Sequence, residues 1–307
     1  MNRISSILYE REDAVQEVLV TGPSGEIDSS HLEIFGARSA YGQSGFNWQE
    51  KGQAPQSAEA YVLDIPGLGK VETGMIAASD HPPMDALGVC PLGDLGDAIF
   101  VADGVSYNPK TNQWCEHSAL AAHEVVEALS SVANNGMKFE DFGGFMNFVS
   151  LKLATLMEKQ TGDNSSVDRQ ISLQMALISK PDNNGNRKAY FSSFGKGNVG
   201  QSRVVRADGS RADLDPKLGY NSTNFGVGSY KDVDFEPVSL KPGYSIVMAT
   251  DGLSQRQFRQ VIDSQTTVKE QQVADADLAK NLASTLNRVV VGKDPRDDIS
   301  YLSLTVK

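Results

Sequence analysis

Two apolar runs in this 307-residue chain stop on the same pair of residues, an aspartate followed by a glycine. "AIFVADG" delivers one run to Asp103-Gly104, and "YSIVMATDG" delivers the other to Asp251-Gly252. Short runs rich in aliphatic and β-branched residues read as buried strands. Two further strands show the reverse order: Asp297 and Asp298 precede "ISYLSLTV", and Glu59 precedes "AYVLDI". If strands that arrive at an acid lie antiparallel to strands that leave from one, all these carboxylates gather at a single edge of the core. Crowded carboxylates raise one another's pKa or need a cation between them. Oxygen-only ligands suit a hard divalent ion, Mg²⁺ or Mn²⁺, better than zinc.

Asp-Gly is also the commonest hairpin dipeptide, and the chain holds its own control. Asp208-Gly209 in "RVVRADGSRADL" sits among charged residues and reads as a surface hairpin without chemistry. Asp103 and Asp251 differ because continuous apolar runs precede them.

The remaining pattern defines the fold class. Strand-like runs occur at "EAYVLDI", "KVETGMIAA" and "AIFVA". Helical periodicity follows in "HSALAAHEVVEALSSVANN" from His117 and "FEDFGGFMNFVSLKLATLMEKQ" from Phe139. Strands return in "SLQMALIS", "AYFSSFG", "QSRVVRA", "FEPVSL" and "YSIVMAT"; the helical pair "QRQFRQVID" and "DADLAKNLASTLNRVVV" precedes the last strand. Blocks of strands between blocks of helices predict an α+β layered domain with largely antiparallel sheets. No repeat or linker divides the chain. Residues 1–30 end in the turn-rich "TGPSGEIDSSH" and read as an N-terminal extension, with one domain over 31–307.

The net charge of -11 and pI near 4.9 argue against nucleic acid or an anionic membrane as the main partner, but not against a metal cation. No apolar stretch is long enough for a signal peptide or a membrane span. Cys90 and Cys115 are too few for a disulfide framework and lack metal-site spacing, which suggests a cytoplasmic location. Export without a hydrophobic signal stays open. "TGPSGE" lacks the ending a phosphate-binding loop needs, and "HEVVE" has Glu127 where a zinc-protease helix has histidine.

In order and spacing, "AEAYVLD", "FVADGVS", "NVGQSR", "MATDGLSQ" and "RDDISYLSLTV" resemble the motif series of the metal-dependent protein phosphatases, the PP2C or PPM type. The resemblance runs from about Glu33 to the carboxyl terminus. It implies an α-β-β-α sandwich with two Mg²⁺ or Mn²⁺ ions at one end, about 3.5–4 Å apart. It also implies hydrolysis of phosphoserine or phosphothreonine in a phosphoprotein substrate, by a water bridging the ions. Asp103 matches the aspartate that bridges both ions, and Gly104 the glycine whose carbonyl binds one of them. Asp251 and Asp297 match two further ligands, and Asp298 stands where the family often has asparagine. Glu59 takes the place of the acid in the family's Asn-Glu-Asp-Ala motif, which implies a place in the metal site, holding a metal-bound water. The expected catalytic set is Asp103, Asp251 and Asp297, in a chain assumed to be a monomer.

Departures from the family pattern are as specific as the matches. Ala58 replaces one of two adjacent acids, and Val105 stands where eukaryotic members have histidine, so no general acid is assigned. His117 and His123 follow on the next predicted helix but read more simply as packed or solvated side chains. The phosphate-binding arginine position falls near Ala54, with Lys51 a weak substitute. Gln201 and Gln255 replace the two carboxylates of a third ion, which predicts that a third site is weak or absent. These losses define the alternative function, a binding module that keeps the fold without turnover. Hydrolysis of another phosphoester is a third possibility, because an ion pair does not itself choose the leaving group.

Overall fold

The computed structural model describes residues 20–22, 25–27, 34–36, 58–76, 85–91, 96–104, 107–108, 113–114, 171–194, 201–213, 220–221, 237–290 and 298–307. The first described strands are β1 Val20–Gly22, β2 Gly25–Ile27, β3 Ile34–Gly36, β4 Glu59–Ile65, β5 Gly69–Ile76, β6 Ala86–Pro91 and β7 Asp97–Gly104. They are followed by β8 Tyr107–Asn108, β9 Gln113–Trp114, β10 Ile171–Ile178, β11 Arg187–Phe194, β12 Gln201–Val205, β13 Arg211–Asp213 and β14 Tyr220–Asn221. β15 Val238–Leu240, β16 Ser245–Ala249, helix α1 Gln255–Glu270, helix α2 Asp275–Val290 and β17 Ile299–Val306 complete the set.

Among the described residues, sheet A has the order β13-β12-β16-β17-β5-β4-β1-β2, and sheet B the order β14-β11-β10-β7-β6-β3 with β15 beside β11. All their pairings are antiparallel except β11 with β14. The β1–β2 hairpin joins sheet A through Val20 opposite Leu63 of β4. The turn after β12 holds Asp208, which accepts from Ser210 N, and Gly209 at φ +76°, a left-handed value that glycine adopts without strain. It is the surface hairpin expected there.

β16 shows how the layers form. Its sequence SIVMA is buried throughout because both faces are covered. Ile246 and Met248 join the core between the sheets with Tyr61, Met75, Leu87, Val101, Ala176 and Leu302. Val247 and Ala249 face the other way, toward the helices. Side chains alternate along a strand, so one apolar run serves two cores.

The helices cover the outer face of sheet A. Ser254 caps α1 in a capping box with Gln257, and Phe258, Val261, Ile262 and Gln265 form its buried stripe. α2 buries Leu278, Ala279, Leu282, Thr285 and Leu286, with Asp275 and Asp277 in its first turn and Arg288 in its last, as the helix dipole favours. Fully burying one such aliphatic side chain contributes about 1.5–3 kcal/mol. Phe258 meets Tyr301 edge to face with ring centroids 6.4 Å apart. Burial, and then the charge of Glu72, hold the Tyr301 phenol well above its ordinary pKa. Glu72 is fully buried on this face, with Lys269 Nζ 2.6 Å from its carboxylate.

The expected strands at "EAYVLDI", "KVETGMIAA", "AIFVA", "SLQMALIS", "AYFSSFG", "QSRVVRA", "FEPVSL", "YSIVMAT" and "SYLSLTV" all form, and so do the two late helices. The fold is α+β, with two packed sheets and a helix layer on sheet A. The helical segments expected from His117 and from Phe139 lie outside the described residues, so the outer face of sheet B is not described.

Candidate functional site

Asp103 closes β7 on the inner face of sheet B. The β6–β7 ladder pairs Leu87 with Val101 and Ala86 with Ala102, so Asp85 and Asp103 form the next step. Leu87 and Val101 lie in the core between the sheets, and residues two apart share a face. Asp85 and Asp103 therefore stand on neighbouring strands, on the same face, at the same rim. Opposed residues in such a ladder have Cα atoms about 4.5–5.5 Å apart. Ser172 of β10 flanks Asp103 on its other side, and Gly104 pairs with Ile171.

Sheet A brings its own rim to the same end. Ala249 pairs with Tyr301, and Thr250 N donates to Ser300 O at 3.0 Å, extending the ladder past the end of β16. Thr250, Ser300 and Asp298 continue the inward-facing rows of Met248 and Leu302. Asp298 is only 1% exposed. Asp251 follows in the turn beyond and is half-buried, as is Asp103.

Side chains tie the two rims together. Thr250 Oγ1 donates to Asp85 Oδ2 at 2.9 Å and accepts from Ser300 N at 2.9 Å. Deeper in the sandwich, Ser202 Oγ of β12 donates to Gln174 Oε1 of β10 at 2.6 Å. The turn carrying Asp251 is fixed by contact at Gly252, where a Cβ would collide with the Asp298 carbonyl oxygen. Gln201 Nε2 donates to Leu253 O at 2.6 Å and holds the same turn from β12. The Gln201 amide thus has a structural partner, while Gln255 begins α1 and is exposed.

Glu59 stands elsewhere on this rim. Sheet order places β5 and β17 between β4 and β16, so Glu59 is three strand spacings, about 14 Å, from β16. Its Oε2 accepts from Tyr61 Oη at 3.1 Å. Ala58 faces the helices, and its N–H donates to Asn287 Oδ1 at 2.8 Å. The acid beside Asp103 is Asp85, a residue missed by reading the sequence. The signal was present in "PPMDALGV", an acid leading into an apolar run as at Asp297 and Glu59. It was obscured because Gly88 and Pro91 break the β6 run.

Asp297, Val105, His117, His123, Lys51, Ala54 and Cys115 lie outside the described residues. Among the described residues no three His, Cys, Asp or Glu side chains are grouped so as to hold a metal ion. The acids at the rim are oxygen donors, which suit a hard divalent ion in kind. Also among the described residues, no helix is long and apolar enough to cross a membrane.

The layered fold is consistent with that of the PP2C-type phosphatases, a likeness of fold alone. The RsbU and RsbW domains from Mycobacterium tuberculosis superpose with a TM-score of 0.51 at 17% identity, over 80% of this chain and 63% of theirs. RsbX in complex with magnesium gives 0.48 at 12% identity, over 80% of this chain and 98% of that one. The PPM Ser-Thr phosphatase MsPP from Mycobacterium smegmatis gives 0.47 at 16% identity, over 77% of this chain and 98% of that one. No family model matches the sequence, and no curated protein matches it.

Proposed function

We propose that this chain is a divergent metal-dependent phosphoprotein phosphatase acting on phosphoserine or phosphothreonine. The observation that supports this reading is the placing of acids from both sheets at one rim, Asp85 and Asp103 on the side of sheet B and Asp251 and Asp298 on the side of sheet A, with Thr250 bonded to Asp85 between them. Asp103, the Gly104 carbonyl, Asp251 and Asp297 would hold two Mg²⁺ or Mn²⁺ ions. Asp85 takes the place first expected of Glu59, because it stands on the strand beside Asp103 and is linked to Thr250. Bound ions would supply Lewis-acid charge at a phosphoryl group and a water acidic enough to attack near neutral pH. The protein's part is to hold the carboxylates: β7 presents Asp103, and Gly252 with Gln201 fixes the turn that presents Asp251.

Mn²⁺-dependent hydrolysis of para-nitrophenyl phosphate and of a phosphothreonine peptide tests this reading. Asp103→Asn and Asp251→Asn should each lower kcat/KM about a thousandfold, roughly 4 kcal/mol of barrier. Unchanged activity in both variants would remove the assignment. A second reading, a binding module without turnover, draws on the ungrouped acids among the described residues. Under that reading the wild-type chain hydrolyses neither substrate.

A further inference from the structure

Thr250 joins the two sheets at the rim that carries the acids. It is 1% exposed, as is Asp85, so neither side chain exchanges partners freely with solvent. A threonine hydroxyl has one proton to give. Ser300 N donates to Thr250 Oγ1 at 2.9 Å and occupies its acceptor side, which leaves the proton for Asp85 Oδ2, also at 2.9 Å. The backbone beneath is fixed too, because Thr250 N donates to Ser300 O at 3.0 Å. A β-branched side chain is stiff about its first torsion, so this geometry has little freedom to drift. The result is a rigid link from β17 through Thr250 to Asp85 on sheet B, one residue before Asp251.

We propose that Thr250 is a positioning residue for the ion site, holding the Asp85 carboxylate of sheet B in register with Asp251 of sheet A. The proposal rests on the phosphatase reading for the presence of ions, and on the two hydrogen bonds for the role of Thr250. Partners behind ligating carboxylates typically change metal affinity 10- to 100-fold when removed. Thr250→Val keeps the shape and deletes the donor; Thr250→Ser keeps the donor.

Isothermal calorimetry with Mn²⁺ on the full chain reads the effect directly, with thermal unfolding in chelator as the check on folding. Thr250→Val should weaken Mn²⁺ binding about 10- to 100-fold, with Thr250→Ser restoring it to within about threefold. In an Asp85→Asn background, Thr250→Val should add little further loss, since both act through one bond. If the valine variant does not fold, Thr250→Ala replaces it in the same cycle with the same two outcomes. A wild type that binds Mn²⁺ and a valine variant that binds equally well overturn the role of Thr250 alone. Equal losses in the valine and serine variants overturn it too. A wild type that takes up no Mn²⁺ overturns the ion-site reading itself.

Discussion

The two ends of the sandwich spend their buried charges differently. At the end away from the acid rim, Arg187 is 3% exposed and crosses from sheet B to sheet A. Its guanidinium donates to Ser179 O at 2.9 Å and to Gly67 O in the β4–β5 turn. Asp97 is the carboxylate that faces it. Nearby Asp182 accepts from Asn184 N and Asn186 N, both at 2.8 Å, and closes the turn before β11. Charge at this end is consumed in joining sheets and shaping turns. At the rim the link between sheets runs from a neutral hydroxyl to a carboxylate, Thr250 Oγ1 to Asp85 Oδ2. On the proposed phosphatase reading, the acids at this end serve chemistry while the charges at the other end serve the fold.

Substitutions at the two ends should therefore separate activity from stability. The largest expected effect is at the rim: Asp103→Asn should lose about three orders of magnitude in kcat/KM, with its unfolding free energy in urea changed by less than about 1 kcal/mol. At the other end Arg187→Met should do the opposite. It removes the hydrogen bonds to the Ser179 and Gly67 carbonyls and the buried charge that joins the sheets, and should cost roughly 3 kcal/mol of stability, read by urea unfolding, with kcat/KM of the folded fraction within about twofold. An Arg187 variant that loses activity while remaining fully folded would erase the contrast between the ends.

The smaller effects concern pH. Burial raises the Asp97 pKa, and the charges of Lys180 and Arg187 pull against it without cancelling it. An acid with a raised folded-state pKa binds its proton more tightly in the native state than in the unfolded chain. Stability contributed by the protonated form is then present at low pH and declines as pH rises from about 4 through the raised value. Asp97→Asn should flatten that decline in a series of urea midpoints between about pH 3.5 and 7. Asp182 has the opposite sign, because hydrogen bonds from the Asn184 and Asn186 backbone lower its pKa. Its contribution is present above about 4 and is lost as pH falls further, so the two acids at one end act in separate windows.

Most strands were legible in the sequence because two-sided burial writes continuous apolar runs, as in β7 and β16. β6 was not, since glycine, cysteine and proline interrupt it. Local spacing also placed Asp103 and Asp251 at the ends of their own runs. Which acid stands on the strand beside Asp103 was not legible, for a physical reason. "SAEA" and "PMDA" both place an acid and an alanine ahead of a strand, and only sheet order reveals which strand lies beside β7. Pairing between strands distant in sequence is set by the whole fold, so no local motif could decide between Glu59 and Asp85. The link from Thr250 to Asp85 spans 165 residues and was equally invisible.

Anomalous diffraction from a crystal grown with Mn²⁺ tests the central claim most directly. A two-ion site gives two peaks at the rim, within coordination distance of Asp103 and of at least one of Asp85, Asp251 and Asp297, and no third near Gln201. Peaks confined to other surfaces, with those carboxylates unligated, would contradict it.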